Sequence, residues 1–214
     1  MDWIFMLKKS LITILLISRF VFAQEMPILS GVGGDFYAIN SSTGNEVKFS
    51  DFKGNVILLS FGYTNCADIC PFTLGYLQNL YEKLTPNEKQ KVRIIFVTVD
   101  PEYDTPKHLK EFMGHFNKDF IGLTASKQET QRITSLFQAE YSKLAQNKIP
   151  TKYMRRVNEK YFDNKADKEV DKASLFSHTV AIYLIDKDGD ARSLEYTGTV
   201  TTKFVKKIRT LINE

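Results

Sequence analysis

Cysteine is scarce in this chain: two among 214 residues, Cys66 and Cys70. That excludes the multi-bridge framework that staples small secreted domains, and it leaves too few thiolates for a four-cysteine structural zinc site. Histidine occurs only three times, as His108, His115 and His178. No apolar run is long enough to span a bilayer, because the block Leu11–Ile17 is closed off by Arg19 and falls well short of the ~20 residues a spanning helix needs. The formal net charge is a modest +4 and no basic face is interleaved with aromatics, which excludes nucleic acid as the expected partner. Internal repeats and low-complexity tracts are missing too, so solenoids and arrays are excluded.

The first residues have the form of a processing segment. Lys8 and Lys9 precede the short apolar block, and Val21-Phe22-Ala23 supplies small residues where a signal peptidase inspects the chain. Residues 1–23 are therefore expected to be a signal peptide cut after Ala23, the alternative being an uncleaved anchor with Arg19 snorkelling to the interface. Either form takes the rest of the chain out of the cytoplasm, to the periplasm or to a tether on the outer face of the inner membrane. Residues 24–214 suffice for a single domain with a sizeable core. An exported protein with two cysteines would ordinarily hold one disulfide. A bridge closing so short a loop constrains little of the unfolded chain, so function explains the pair better than stability does.

Strands and helices alternate through that domain. Phe36–Ile39 and Glu46–Phe49 flank a Ser-Ser-Thr-Gly-Asn turn and read as a hairpin. A strand over 55–62 leads into Cys66-Ala67-Asp68-Ile69-Cys70-Pro71, and a helix is expected from about Pro71 to Leu84, with Leu74, Leu77, Leu80, Tyr81 and Leu84 on one face. A β-branched strand over 92–99 precedes a helix from Thr105-Pro106 to about Phe116. Ile121–Leu123 reads as a short strand and 127–138 as a third helix. A strand over 177–185, a turn at 186–190, a returning strand over 192–196 and an amphipathic helix over 202–212 close the chain. The pattern is α/β: a sandwich of thioredoxin type, with a central mixed sheet, flanking helices and an N-terminal β-hairpin. The segment at about 144–174, rich in Lys, Asn, Asp and Tyr, reads as an extended loop.

Both sulfurs thus fall on a strand-to-helix turn, where the positive end of the helix dipole favours thiolate. A one-turn separation permits a disulfide, permits both thiolates to grip a soft cation such as Cu(I), and permits redox exchange. His178 is expected at the start of the strand whose loop lies beside the cysteine turn, which makes it a candidate third ligand. His108 and His115, set among Lys107, Lys110 and Glu111, read as surface residues. Asp100-Pro101 reads as the turn that ends its strand, with support of the cysteine loop as the functional alternative. Gly62 is expected to let backbone approach the cysteine turn closely.

These residues carry a resemblance. Gly62-Tyr63-Thr64-Asn65-Cys66-Ala67-Asp68-Ile69-Cys70-Pro71 is similar to the Cys-x-x-x-Cys-Pro motif of the Sco/SenC family. Val97-Thr98-Val99-Asp100-Pro101-Glu102-Tyr103-Asp104-Thr105-Pro106 resembles that family's second signature, and His178 with Ile182–Asp186 its third, in the right order over roughly 35–212. The resemblance implies an exported or tethered metallochaperone that binds copper through Cys66, Cys70 and His178. It also implies assistance in assembling the Cu-A centre of cytochrome c oxidase, so the expected partners are that enzyme's copper-accepting subunit or another copper protein, and a thiol reductant protein. Two departures stand out: Ser177 replaces the acidic residue that commonly precedes the family's histidine, and the loop at 144–174 is longer than the family norm. The rival reading is a metal-independent thiol–disulfide oxidoreductase with Cys66 and Cys70 as its redox-active pair, and a peroxidase using Cys66 alone is a third. Spacing of three residues rather than two, and His178 where thioredoxins place a cis-proline, argue for copper.

Overall fold

The computed structural model describes residues 26–66, 68–143 and 176–214. The leader expected at 1–23 and the extended loop expected at about 144–174 fall outside the described residues. The strands are β1 (Tyr37–Asn40), β2 (Glu46–Lys48), β3 (Val56–Gly62), β4 (Val92–Thr98), β5 (Ile121–Thr124), β6 (Tyr141–Lys143), β7 (Phe176–His178), β8 (Ile182–Ile185) and β9 (Ala191–Glu195). The helices are α1 (Ile69–Glu82), α2 (Pro86–Gln90), α3 (Pro106–Gly114), α4 (Lys127–Leu136) and α5 (Thr201–Asn213). Seven strands form one mixed sheet in the order β2-β1-β5-β4-β3-β8-β9, while β6 and β7 form a separate ribbon.

The sheet explains the unbroken apolar run at its centre. β3 is buried at every position, between β4, which runs parallel to it, and β8, which runs antiparallel. A central strand covered on both faces has no solvated side to give it a polar alternation. On one face Phe112 of α3 packs 6.1 Å from the Phe96 ring, and the face of α1 predicted from its leucines is buried there. On the other face Phe61 meets Phe137, just past the end of α4, at 5.7 Å, and Tyr183 at 5.8 Å. The hairpin β1–β2 attaches through β1 to β5, antiparallel. Among the described residues no helix is long and apolar enough to cross a membrane.

Three local outcomes differ from expectation. α1 begins at Ile69, so Pro71 is its third residue; within the first turn its missing N–H still costs no helical bond. α2 was not expected, yet Thr85-Pro86-Asn87-Glu88 is a capping box: the Thr85 hydroxyl accepts from Glu88 N at 3.3 Å and the Glu88 carboxylate accepts from Thr85 N at 2.7 Å. A cap of this kind contributes about 1 kcal/mol, enough to define one turn of helix. The strand expected over 177–185 is two strands, because His178 pairs with Tyr141 in the ribbon whereas Ile182 pairs with Ser60 in the main sheet.

Parallel β3 and β4 both end at one edge, and α1 starts there. Residues that follow the carboxyl ends of parallel strands line a natural crevice. The cysteine turn, the loop after β4 and the ribbon carrying His178 converge at that edge.

Candidate metal centre

The cysteine loop is held before its sulfurs are placed. Tyr63, Thr64 and Asn65 are all buried. Thr64 donates its backbone N–H to Asp104 Oδ2 at 3.1 Å and its hydroxyl to Asp104 Oδ1. The Thr98 hydroxyl, from the end of β4, donates to Asp104 Oδ2. Cys66 N donates to the Tyr63 carbonyl at 3.2 Å, which closes a tight turn and aims the Cys66 sulfur at the start of α1.

The helix terminus then meets sulfur instead of an ordinary cap. Asp68 stands at the N-cap of α1 without a side-chain cap bond, and Cys70 N donates to Cys66 Sγ at 3.4 Å. Helix N-terminal amides carry unsatisfied positive charge that favours an anion. The Cys66 thiol is held well below its ordinary range, chiefly by a hydrogen bond from the Cys70 thiol, with the His178 side chain and the backbone amides of Asp68 and Cys70 adding to it. Burial pushes the Cys70 thiol up, and the neighbouring Cys66 sulfur pushes it the same way. The pair is therefore polarised: Cys66 is the thiolate and Cys70 keeps the proton.

The imidazole completes the group. His178 Nε2 lies 3.4 Å from Cys70 Sγ. Its Nδ1 donates to the Thr179 carbonyl at 3.1 Å, since a carbonyl only accepts, and this bond turns Nε2 toward the sulfurs. The Tyr63 ring packs edge-on against the imidazole, centroids 5.8 Å apart, and its hydroxyl donates to the Phe176 carbonyl at 3.3 Å, tying the cysteine loop to the ribbon. The donor atoms of Cys66, Cys70 and His178 all lie within 4.8 Å of one another. Among the described residues no fourth cysteine, histidine or carboxylate joins them. Two sulfurs and one nitrogen suit a soft ion of low coordination number rather than structural zinc, which takes four ligands. Both cysteines are unbridged and buried.

Gly62 has the role expected of it, for a reason of space alone. A Cβ built there would lie 2.6 Å from Phe96 Cε2 and 2.8 Å from Cys70 Sγ. His108 lies on α3 and His115 at its C-terminal cap, and neither joins the sulfurs. His115 is exposed as expected, but His108 is half-buried, its ring edge-on to Tyr103 at 4.9 Å, so polar neighbours in sequence misjudged it. Asp100 is the turn residue foreseen: its carbonyl accepts from Tyr103 N at 3.1 Å and Asp104 N at 2.8 Å. Support of the cysteine loop comes from Asp104, a residue that enters the sequence reading only within the run Val97–Pro106. Ser177, where an acidic residue would be common, is exposed on the ribbon opposite Ser142.

Comparison with known proteins agrees with this geometry. A SCO1/SenC family profile matches residues 26–213. A SCO2-like protein of Rickettsia felis is 38% identical over 125 residues, 58% of this chain and 59% of its own. The chain thus spans about three-fifths of that relative's length. The solution structure of apo Sco1 from Thermus thermophilus is 28% identical, with a TM-score of 0.67 over 88% of this chain and 99% of that one. Copper-bound ScoI from Bradyrhizobium japonicum shares the fold, with a TM-score of 0.67 at 24% identity over 84% of this chain and 99% of that one. With the family profile running from the first described residue to the end of the last helix, this chain belongs to the SCO1/SenC family.

Proposed function

We propose that this protein is a copper metallochaperone working outside the cytoplasm, with Cys66, Cys70 and His178 holding Cu(I) as its cargo. The observation that carries the reading is the convergence of two sulfurs and an imidazole nitrogen within 4.8 Å. Loading the ion displaces the proton that Cys70 keeps, so both sulfurs become thiolate ligands while Cys66 is already charged. Membership of the family and the copper named for several of its solved structures support the same conclusion. The leader at 1–23 supports export, to the periplasm or to a tether at the membrane. The receiving partner is a copper-accepting subunit of cytochrome c oxidase, which takes the ion by ligand exchange to assemble its Cu-A centre.

A second reading, thiol–disulfide exchange without metal, is favoured by one observation, the polarised pair of one thiolate and one thiol. It uses His178 only to hold the Cys66 thiol down and gives no reason for three donor atoms to converge. Titration of the anaerobic reduced protein against a competing Cu(I) chelator tests the main reading. One equivalent is expected to bind, with weaker binding in Cys66→Ser, Cys70→Ser and His178→Ala. Failure of the wild-type protein to compete for copper would overturn it.

A further inference from the structure

Asp104 is a carboxylate without any exposed surface, and copper ligation gives it no task. Among the described residues it has no cationic partner: its oxygens accept from Thr64 N, Thr64 Oγ1 and Thr98 Oγ1. A buried carboxylate is costly unless its lone pairs are filled, and here hydroxyls and one amide fill them. What the arrangement achieves is geometric. Both donors of Thr64, one from the backbone and one from the side chain, end on the same carboxyl group, so residue 64 is fixed in position and in rotation. That group is itself anchored twice, through Thr98 on β4 and through Asp104 N on the Asp100 carbonyl at 2.8 Å.

The three ligand candidates are not held alike. Cys70 is fixed by α1 and His178 by the pairing of β6 with β7. Cys66 stands in irregular chain, in a turn closed on Tyr63, and the residues just before it are held by side chains at two points, the Tyr63 hydroxyl on the Phe176 carbonyl and Thr64 on Asp104. We propose that Asp104 is a positioning residue for the centre: through Thr64 it sets where the Cys66 sulfur stands relative to Cys70 and His178. The proposal rests on the copper reading of those three residues.

Loss of the clamp loosens the loop that carries Cys66, while the other two donors stay where their own elements hold them. Removal of such supporting partners commonly lowers metal affinity by about 10- to 100-fold, which is the loss expected for Asp104→Ala. Asp104→Asn with its carbonyl in the Oδ2 place keeps the bonds from the Thr64 amide and the Thr98 hydroxyl, and the Thr64 hydroxyl can turn to accept from its NH2 group, so it should restore affinity to within a few-fold of wild type. Thr64→Val, which removes one bond of the clamp and keeps the backbone one, should fall between them and keeps the test open should the alanine variant fail to fold.

The experiment measures Cu(I) affinity by chelator competition, thermal stability, and the rate at which iodoacetamide modifies Cys66 in the metal-free reduced protein, on wild type and all three variants. The expected result is graded affinity, with Cys66 alkylated faster in Asp104→Ala and near the wild-type rate in Asp104→Asn. Folded Asp104→Ala or Thr64→Val with wild-type affinity and a wild-type alkylation rate would overturn the proposal, even if melting temperature falls, because a merely structural carboxylate moves stability alone. Absence of copper binding in wild type together with altered alkylation in Asp104→Ala would strike the copper reading and leave the positioning role standing.

Discussion

The Nε2 atom of His178 stands 3.4 Å from the sulfur of Cys70, although 108 positions separate the two residues and they belong to different sheets' surroundings, a helix start and a ribbon. The imidazole is held in that orientation by the bond from its Nδ1 to the Thr179 carbonyl and by the Tyr63 ring packed edge-on against it.

Oxidation should abolish copper binding. Once Cys66 and Cys70 are joined, neither sulfur retains the charge that makes it a ligand. Native mass spectrometry of the oxidised protein incubated with copper is expected to show the metal-free mass; stoichiometric metal on the disulfide form would contradict the model.

His178→Ala should separate the two functional classes. Transfer of copper to a Cu-A acceptor domain is expected to fall, because the ion loses its nitrogen ligand, while thiol–disulfide exchange with a small disulfide is largely kept. The Cys66 thiolate depends first on the Cys70 thiol and only then on His178. Both reactions are measured on this variant beside Cys66→Ser and Cys70→Ser. Equal loss of exchange in all three would make His178 a thiol-tuning residue.

Gly62→Ala should damage stability and site together. The added methyl meets Phe96 Cε2 at 2.6 Å and Cys70 Sγ at 2.8 Å, within a strand buried at every position. Overpacking of this kind costs about 1–3 kcal/mol. Chemical denaturation should record that loss, and chelator competition a weakened copper complex; a wild-type value for both would mean that the strand shifts freely.

Asp104→Asn should change how stability depends on pH. Burial is the main cause that pushes the Asp104 carboxyl up from 3.8 to about 7, with its threonine hydrogen bonds working the other way. Between those two values the folded state holds a proton that the unfolded state has released, so this group makes stability fall as pH rises through the window. Below it both states are protonated and above it both are ionised, so the slope vanishes at each end. Denaturation midpoints taken from pH 4 to pH 8 should therefore decline less steeply with pH in Asp104→Asn than in wild type; parallel profiles would show that Asp104 ionises normally.

Much of this was legible in the chain. The run from Val56 to Gly62, followed by Cys66 and Cys70 at a helix start, needs only local reasoning, and both the strand and the polarity of that turn follow from it. His178 was legible as a ligand candidate, but its setting was not: the break between β7 and β8 comes from pairing with Tyr141–Lys143, a partner that no local periodicity announces. Asp104 stayed hidden for a similar reason, since its bond to Thr64 spans 40 positions and forms only when the ends of β3 and β4 come side by side. α2 is a different kind of miss, because Thr85 and Glu88 carried a readable capping signal.

The separate ribbon gives the donor set two kinds of attachment. Both sulfurs are rooted in the β3–α1 junction, whose strand is buried throughout, whereas the imidazole rides on β7, which shares no backbone ladder with the main sheet. The Tyr63 hydroxyl on the Phe176 carbonyl and the Tyr63 ring against His178 are what join arm to cradle, so displacing the nitrogen means breaking a side-chain clasp and no strand pairing of the main sheet.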